Sequence, residues 1–411
     1  MSTSLQLSDG SSKSLLQYLE PRLRFQLSNQ CPALQNIELE VPMHIERLDI
    51  SEFGVEINRT SYAFQVKTDE EIDQTFDVDE FGMIDYDLVV DQNPDTILLD
   101  NRDPSNMHLE LSYELQLLQN EYDRIEGLNG NDGIEDIEGL AKAREALEKR
   151  KTRYQFKYLK LMAREMGIKS QISIAREPLD QHIRFSINSP DRVPLYEEHL
   201  AYNKKIHEAQ RSLLEKLFVG RPTICVKSLF IDSCFIVCIP KNMQFKVKHL
   251  SLSCNNFDED LNAIRPLLHV SSFPLESIEV YGKWDSLDPI LKTCGVLYFP
   301  GGCKIEKLLK LQNFHRKVHV NIFDALKQLP PSVKSWLENR QEIGTEYTFD
   351  ISNEDQIILF LDEMKESNAD RIVDEAELHV KLRMDNSTEL YISYDPARDN
   401  VGRMKMKFQV Q

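Results

Sequence analysis

Short apolar strands recur through the C-terminal half of the chain, each followed by a loop or a helical stretch. No other feature restricts the fold as much. The strand-like segments are VKSLFI (226–231), VKHLSLS (247–253), LESIEVY (275–281), IEKLLKLQ (305–312) and EYTFDIS (346–352). Their starts lie 21, 28, 30 and 41 residues apart. Helix-like segments lie between or after them: LNAIRPLL (261–268), DPILKTC (288–294), IFDALKQL (322–329) and QIILFLDEM (356–364). A unit of one strand and one helix cannot bury its own apolar face, so neighbouring units must stack.

Unevenly spaced units of this kind are what an irregular leucine-rich-repeat-like strand-helix array presents, within the α/β class. An ordinary α/β domain with a parallel sheet satisfies the same periodicity. The last residues change style. ELHVKLRM (377–384), ELYISY (389–394) and RMKMKFQV (403–410) alternate strictly, with turns at Asp385-Asn386 and Asp395-Pro396. That alternation predicts a C-terminal antiparallel β-meander sealing the end of the sheet.

The N-terminal part reads differently. Leu15, Leu16 and Leu19 share a helix face, Pro21 interrupts it, and Leu23, Phe25 and Leu27 resume before Cys31-Pro32. From Ile45 to Val66 the period becomes two, with Leu48 and Ile50, then Val55 and Ile57, then Tyr62, Phe64 and Val66. This predicts a small meander over 42–68. Ile183, Phe185 and Ile187 mark another strand. Leu195, His199, Tyr202, Ile206, Ala209, Leu213 and Leu217 then share one helical face, closed by Gly220 and Pro222.

The formal charge of −18 is mostly local. Between Asp69 and Glu138 there are 22 acidic residues against Arg102 and Arg124, leaving 45 acids and 47 bases elsewhere. Residues 69–139 therefore read as an acidic flexible linker. The helix expected over 140–169 is basic, with ten bases and three acids in 142–169. The acidic stretch repels a phosphate backbone and no basic face offsets it, so nucleic acid is not the expected partner. No run approaches the ~18 apolar residues of a spanning helix, and the start lacks a secretory leader. Seven cysteines without a framework fit a reducing compartment, and the expected location is cytoplasmic or nuclear.

Candidate chemistry is sparse. Cys234, Cys238, His249 and Cys254 have residue types that bind zinc, but the flanks Phe235, Ile236, Val237 and Ile239 read as a core strand holding free thiols. His315 and His319 stand four apart without an adjacent Glu, in a segment that reads as strand or loop. No glycine-rich phosphate loop or nucleophile elbow occurs. The expectation is a protein that binds other proteins, with no catalytic residue, no metal and no cofactor.

The residues Leu7, Leu15 or Leu16, Leu19, Pro21, Arg24, Leu27 and Cys31 resemble the leucine, Leu-x-Pro, Arg, Leu and Cys skeleton of an F-box. The segment YEEHLAYNKKIHEAQRSLLEKLFVGRPTICVKSLFI (196–231), with LLQYLEPRLRFQLSNQCPALQNIE and VPMHIERLDI, resembles the large nematode family of F-box-associated proteins. The resemblance covers about 7–66 and 180–281. It implies a helical segment over 7–41 that docks a Skp1-type adaptor through Leu15, Leu16, Leu19, Pro21, Leu23 and Leu27. It also implies an F-box-associated domain over 180–411 that holds an unknown client protein of a cullin-based ubiquitin ligase. The same leucines could instead pack onto the sheet that follows.

Overall fold

The computed structural model describes residues 9–68, 73–75, 77–78, 85, 88, 90, 93–101, 180–221, 224–233, 235–284, 288–302, 316–321, 329–339, 341–384, 387–397 and 402–411. It also describes 115–116, 119–120, 145, 148, 151–152, 155, 307 and 311. Within them the chain is a mixed α/β structure built on one large sheet. The helices are α1 (Asp9–Tyr18), α2 (Pro21–Gln30), α3 (Pro32–Glu40), α4 (Ile206–Phe218), α5 (Phe257–Ile264), α6 (Pro289–Thr293), α7 (Pro330–Glu338) and α8 (Glu354–Ser367). Pro21, Pro32, Pro289 and Pro330 open four of them, where a missing N–H costs nothing.

The first strands are β1 (Met43–Ser51), β2 (Gly54–Ile57), β3 (Thr60–Thr68), β4 (Asp73–Gln74), β5 (Thr96–Asp100), β6 (Gln181–Asn188) and β7 (Pro194–Ala201). The next are β8 (Ile224–Asp232), β9 (Ile236–Pro240), β10 (Phe245–Asn256), β11 (Ser277–Lys283), β12 (Val296–Phe299), β13 (Lys317–Asn321) and β14 (Glu346–Ile351). The last are β15 (Ile372–Ala376), β16 (His379–Arg383), β17 (Glu389–Asp395) and β18 (Met404–Val410). The sheet order is β15-β16-β17-β18-β14-β13-β12-β11-β10-β8-β1-β2-β3-β6-β7, with β4 on β3; β5 and β9 pair separately.

Its centre, from β1 through β8 and β10 to β14, is parallel. Both flanks are antiparallel. From β10 to β14 each strand lies beside the one before it in sequence. A repeated spacing aims the same positions inward: Ile45, Leu48 and Ile50; Val226, Leu229 and Ile231; Val247, Leu250 and Leu252; Leu275, Ile278 and Val280; Cys294, Leu297 and Phe299 are all buried. These triplets, with α4, α5, the buried faces of α7 and α8, and the β5–β9 pair, make one continuous core.

Several expectations change. Residues 194–201, assigned to the start of a helix, form β7. Its register, Ile187 to Tyr196, Phe185 to Glu198 and Ile183 to Leu200, continues the sheet, and the helix starts only at Ile206. Sheet pairing outcompetes the shared helical face of Leu195, His199 and Tyr202. The meander expected over 42–68 is not separate, since β1 pairs in parallel with β8. The range 69–139, expected as linker, supplies β4, a buried Val78 and β5, whose Ile97 and Leu99 enter the core. Much of that range lies outside the described residues. In the basic stretch the described residues 145, 148, 151, 152 and 155 are helical. The strand expected at 305–312 is displaced to Lys317–Asn321, and Lys307 and Leu311 are helical. Apolar residues at 305, 308, 309 and 311 fit a helix as well as a strand. Leu7 and most of 322–329 lie outside the described residues. The C-terminal meander forms, and β15 extends it by one strand.

Candidate functional site

Two surfaces could meet a partner. The first is the trio α1–α3. Of the six expected docking side chains, Leu16 and Pro21 are buried, and Leu19 and Leu27 are half-buried. Leu15 and Leu23 are 48% and 40% exposed. Tyr18, which sequence reading passed over, is 88% exposed and lies three residues after Leu15, on the same helical face. The leucines therefore divide: some hold the trio together and others face outward.

A buried charge cluster fastens this trio to the body. Arg24 Nε donates to Glu38 Oε1 at 3.1 Å, Nη1 to the Pro42 carbonyl at 2.9 Å, and Nη2 to the Glu38 and Val41 carbonyls at 3.1 and 2.8 Å. Arg221, beyond α4, donates Nη1 and Nη2 to the two Glu38 oxygens at 2.7 and 2.8 Å. Its guanidinium also lies over the Phe25 ring. Burial pulls the Arg24 guanidinium below its ordinary value, opposed chiefly by Glu38. Arg24 was legible as a motif position; Glu38 and Arg221 were not, because 183 residues separate them.

A second polar cluster pins α4. Asp77 accepts from the Ile206 backbone N–H, and its Oδ2 lies 2.5 Å from His207 Nδ1. Lys205 Nζ reaches the Val78 carbonyl at 2.8 Å and Asp85 at 3.1 Å. A carboxylate at a helix N-terminus satisfies donors that lack partners within the helix.

The other surface is the sheet face opposite the core. Between the inward triplets, the outward positions register in rows across the parallel strands. One row runs Asp49, Phe230, Ser251, Glu279, Tyr298, His319 and Thr348. Another includes Asp232, Ser253 and Tyr281. Ser251 Oγ donates to Glu279 at 2.6 Å, and His249 Nδ1 lies 2.8 Å from Ser277 Oγ. The Phe230 and Tyr281 rings meet edge to face at 6.3 Å, and Tyr298 lies 5.2 Å from the His319 ring. Burial first, then Glu279, raises the Tyr281 hydroxyl above its ordinary value.

The zinc-type residues do not converge. Cys238 and Cys254 are buried in the core, whereas His249 is on the opposite face of its strand. Burial pushes the Cys238 thiol up to about 12. His319 lies in β13 with Nε2 2.8 Å from Asp350 Oδ2, an ion-pair distance without hydrogen-bond alignment. Cys234 and His315 lie outside the described residues. No helix among the described residues is long and apolar enough to cross a membrane.

Residues 205–353 match a domain of unknown function (DUF3557). The DUF3557 segment begins at the N-cap of α4 and ends at the N-cap of α8, so it spans α4 to β14 and the aromatic part of the open face. It leaves out α1–α3, β1 and the C-terminal meander. No curated protein and no solved structure matches the chain.

Proposed function

We propose that this chain is a non-enzymatic protein-binding module, an F-box-type substrate receptor of a cullin-based ubiquitin ligase. In this reading α1–α3 dock the adaptor, and the body is a leucine-rich-repeat-like array whose open face holds a client. The carrying observation is that Leu15, Tyr18 and Leu23 stand exposed on a helical trio locked to the body by Glu38. Large apolar side chains left in water gain on the order of 25 cal/mol per Å² when a partner covers them. A rigid mount avoids the ordering cost that a loose segment pays on binding. The array reading is supported by the strand triplets, which follow the L-x-x-L-x-L spacing of leucine-rich repeats.

Point substitution is a cleaner test than truncation, because deleting the trio would strip Arg221 of its buried carboxylate. The full chain and the Leu15→Asp/Leu23→Asp variant are each incubated with the adaptor and recovered. We expect retention by the former and loss by the latter. Equal recovery from both, or none from either, overturns adaptor docking and leaves a stand-alone interaction protein.

A further inference from the structure

We infer that the recess between the α5–β11 connection and α6 binds a small apolar molecule carrying a carbonyl oxygen. None of its lining residues belongs to α1–α3 or to an outward strand position, so the inference does not depend on the receptor reading.

The recess has a volume of about 540 Å³, within the range of small-molecule sites. Its apolar walls are Pro266, Leu268, Val270 and Phe273 from the connection, with Pro289 and Ile290 from α6. Val270 is 79% exposed and Phe273 is half-buried. An aliphatic side chain left in water beside a hollow gains when a ligand covers it. The turn that carries Val270 is also fixed. His269 N–H donates to the Phe245 carbonyl at 2.9 Å, and Ser272 Oγ accepts from the Val247 N–H at 2.9 Å. Both bonds tie the turn to β10, so the walls stand in place before a ligand arrives.

The polar groups of the recess select what enters. A backbone N–H can only donate, and that of Ser271 bonds His269 Nδ1 at 3.1 Å. The ring proton therefore sits on Nε2, a donor without a partner among the described residues. Arg265 Nη2 is held by Asn262 Oδ1 at 3.1 Å and Asp288 Oδ2 at 2.7 Å, which leaves Nε and Nη1 to donate. Thr293 Oγ1 gives its proton to the Pro289 carbonyl at 3.0 Å. Among the described residues no carboxylate lines the recess. Asp288 offsets the charge of Arg265, so selection rests on the direction of hydrogen bonding and not on net charge. An apolar body with an acceptor oxygen meets both donors. A hydrocarbon leaves them without a partner, and an ammonium group brings only more donors.

The probe is 6-propionyl-2-(dimethylamino)naphthalene, whose carbonyl accepts hydrogen bonds and whose emission moves to the blue in apolar surroundings. Titrated with the full-length chain, it should show saturable, blue-shifted emission. The analogue 2-(dimethylamino)naphthalene lacks the carbonyl and should compete about tenfold more weakly. Arg265, His269 and Thr293 are exposed, so the fold tolerates changes there. His269→Asn keeps an acceptor for the Ser271 N–H and removes the Nε2 donor, and Arg265→Met keeps the stem and removes the guanidinium. Each should weaken the carbonyl probe about fivefold to tenfold and leave the analogue unchanged. Thr293→Trp fills the recess and should abolish binding of both. The Leu15→Asp/Leu23→Asp variant should bind the probe as the wild type does, which separates this site from the exposed leucines of α1–α3. No saturable binding by the wild type overturns the inference. So do equal affinities across His269→Asn, Arg265→Met and Thr293→Trp, or equal competition by the analogue. A peptide ending in phenylalanine that displaces the probe at tenfold lower concentration than unlabelled 2-acetylnaphthalene also overturns it, because the occupant would then be a chain terminus.

Discussion

Glu38 is 1% exposed and lies between two guanidinium groups. Removing its carboxylate leaves two buried cations facing each other, and breaking such a cluster typically costs about 3–5 kcal/mol. Glu38→Ala should therefore lower the denaturation midpoint sharply, whereas Glu40→Ala, whose Lys13 pair is exposed at the surface, should change it little. Equal effects in urea titrations would show that the cluster does not hold the trio. Buried acids with raised values set the alkaline limit. Cys238 and Cys294 move from 9.0 up to about 12, and Tyr62 from 10.0 up to about 12, each chiefly by burial. Folding favours their protonated forms, so this contribution is complete below about pH 9 and is lost as pH rises toward 12. Thermal melts should accordingly fall across that window, and native Cys238 and Cys294 should resist alkylation longer than Cys31 and Cys225, which are partly accessible. Fast labelling of all of them would contradict this burial.

At the scale of elements, turn geometry and caps decide where strands and helices stop. Gly54 opens β2 with φ +142°, and a Cβ there would lie 2.1 Å from the Tyr62 carbonyl oxygen of β3. Gly54→Ala should therefore cost more than the ~1 kcal/mol of an unfavourable backbone angle alone, because the β2–β3 ladder must part. A melt unchanged by the substitution would show that the turn relaxes freely. The N-terminus of α4 depends on Asp77 from more than a hundred residues away, along with Glu208, which accepts from the Lys205 N–H at 3.0 Å. Asp77→Ala should cost ~1–2 kcal/mol, the range for losing a helix cap. Hydrogen exchange should then rise first at residues 206–209. Protection unchanged at those amides would remove Asp77 from this role.

For the whole molecule, the domain match and the cooperative unit do not coincide. The segment 205–353 ends beside β14 and starts after β7, so excising it strips β1 from β8 and β18 from β14. Both sides of the parallel centre would become bare edges carrying unpaired backbone groups and core side chains, a route to aggregation. We expect that fragment to be insoluble or oligomeric by sedimentation, while the full chain unfolds in one transition. A monomeric, cooperatively folding fragment would show that β1 and β18 are accessory.

Local periodicity was enough to place β1–β3, β8, β10, β11, β14, β16–β18, the second half of α5, and most of α6 and α8, because alternation and three-to-four spacing are written in neighbouring residues. It was also enough to put Cys238 on a buried strand. The sequence did contain the inward triplet spacing, which reading segment by segment passed over. Tertiary structure decided what depends on distant partners. It turned residues 194–201 into an edge strand because β6 offered backbone hydrogen bonds, and it inserted β5 from an acidic stretch because Ile97 and Leu99 met β9. It split Leu15 and Leu23 from Leu16 by how α1–α3 pack on one another, and it brought Glu38 to Arg221. Those outcomes depend on burial and pairing between segments far apart in the chain, and a local pattern of residues carries no record of what will pack against it.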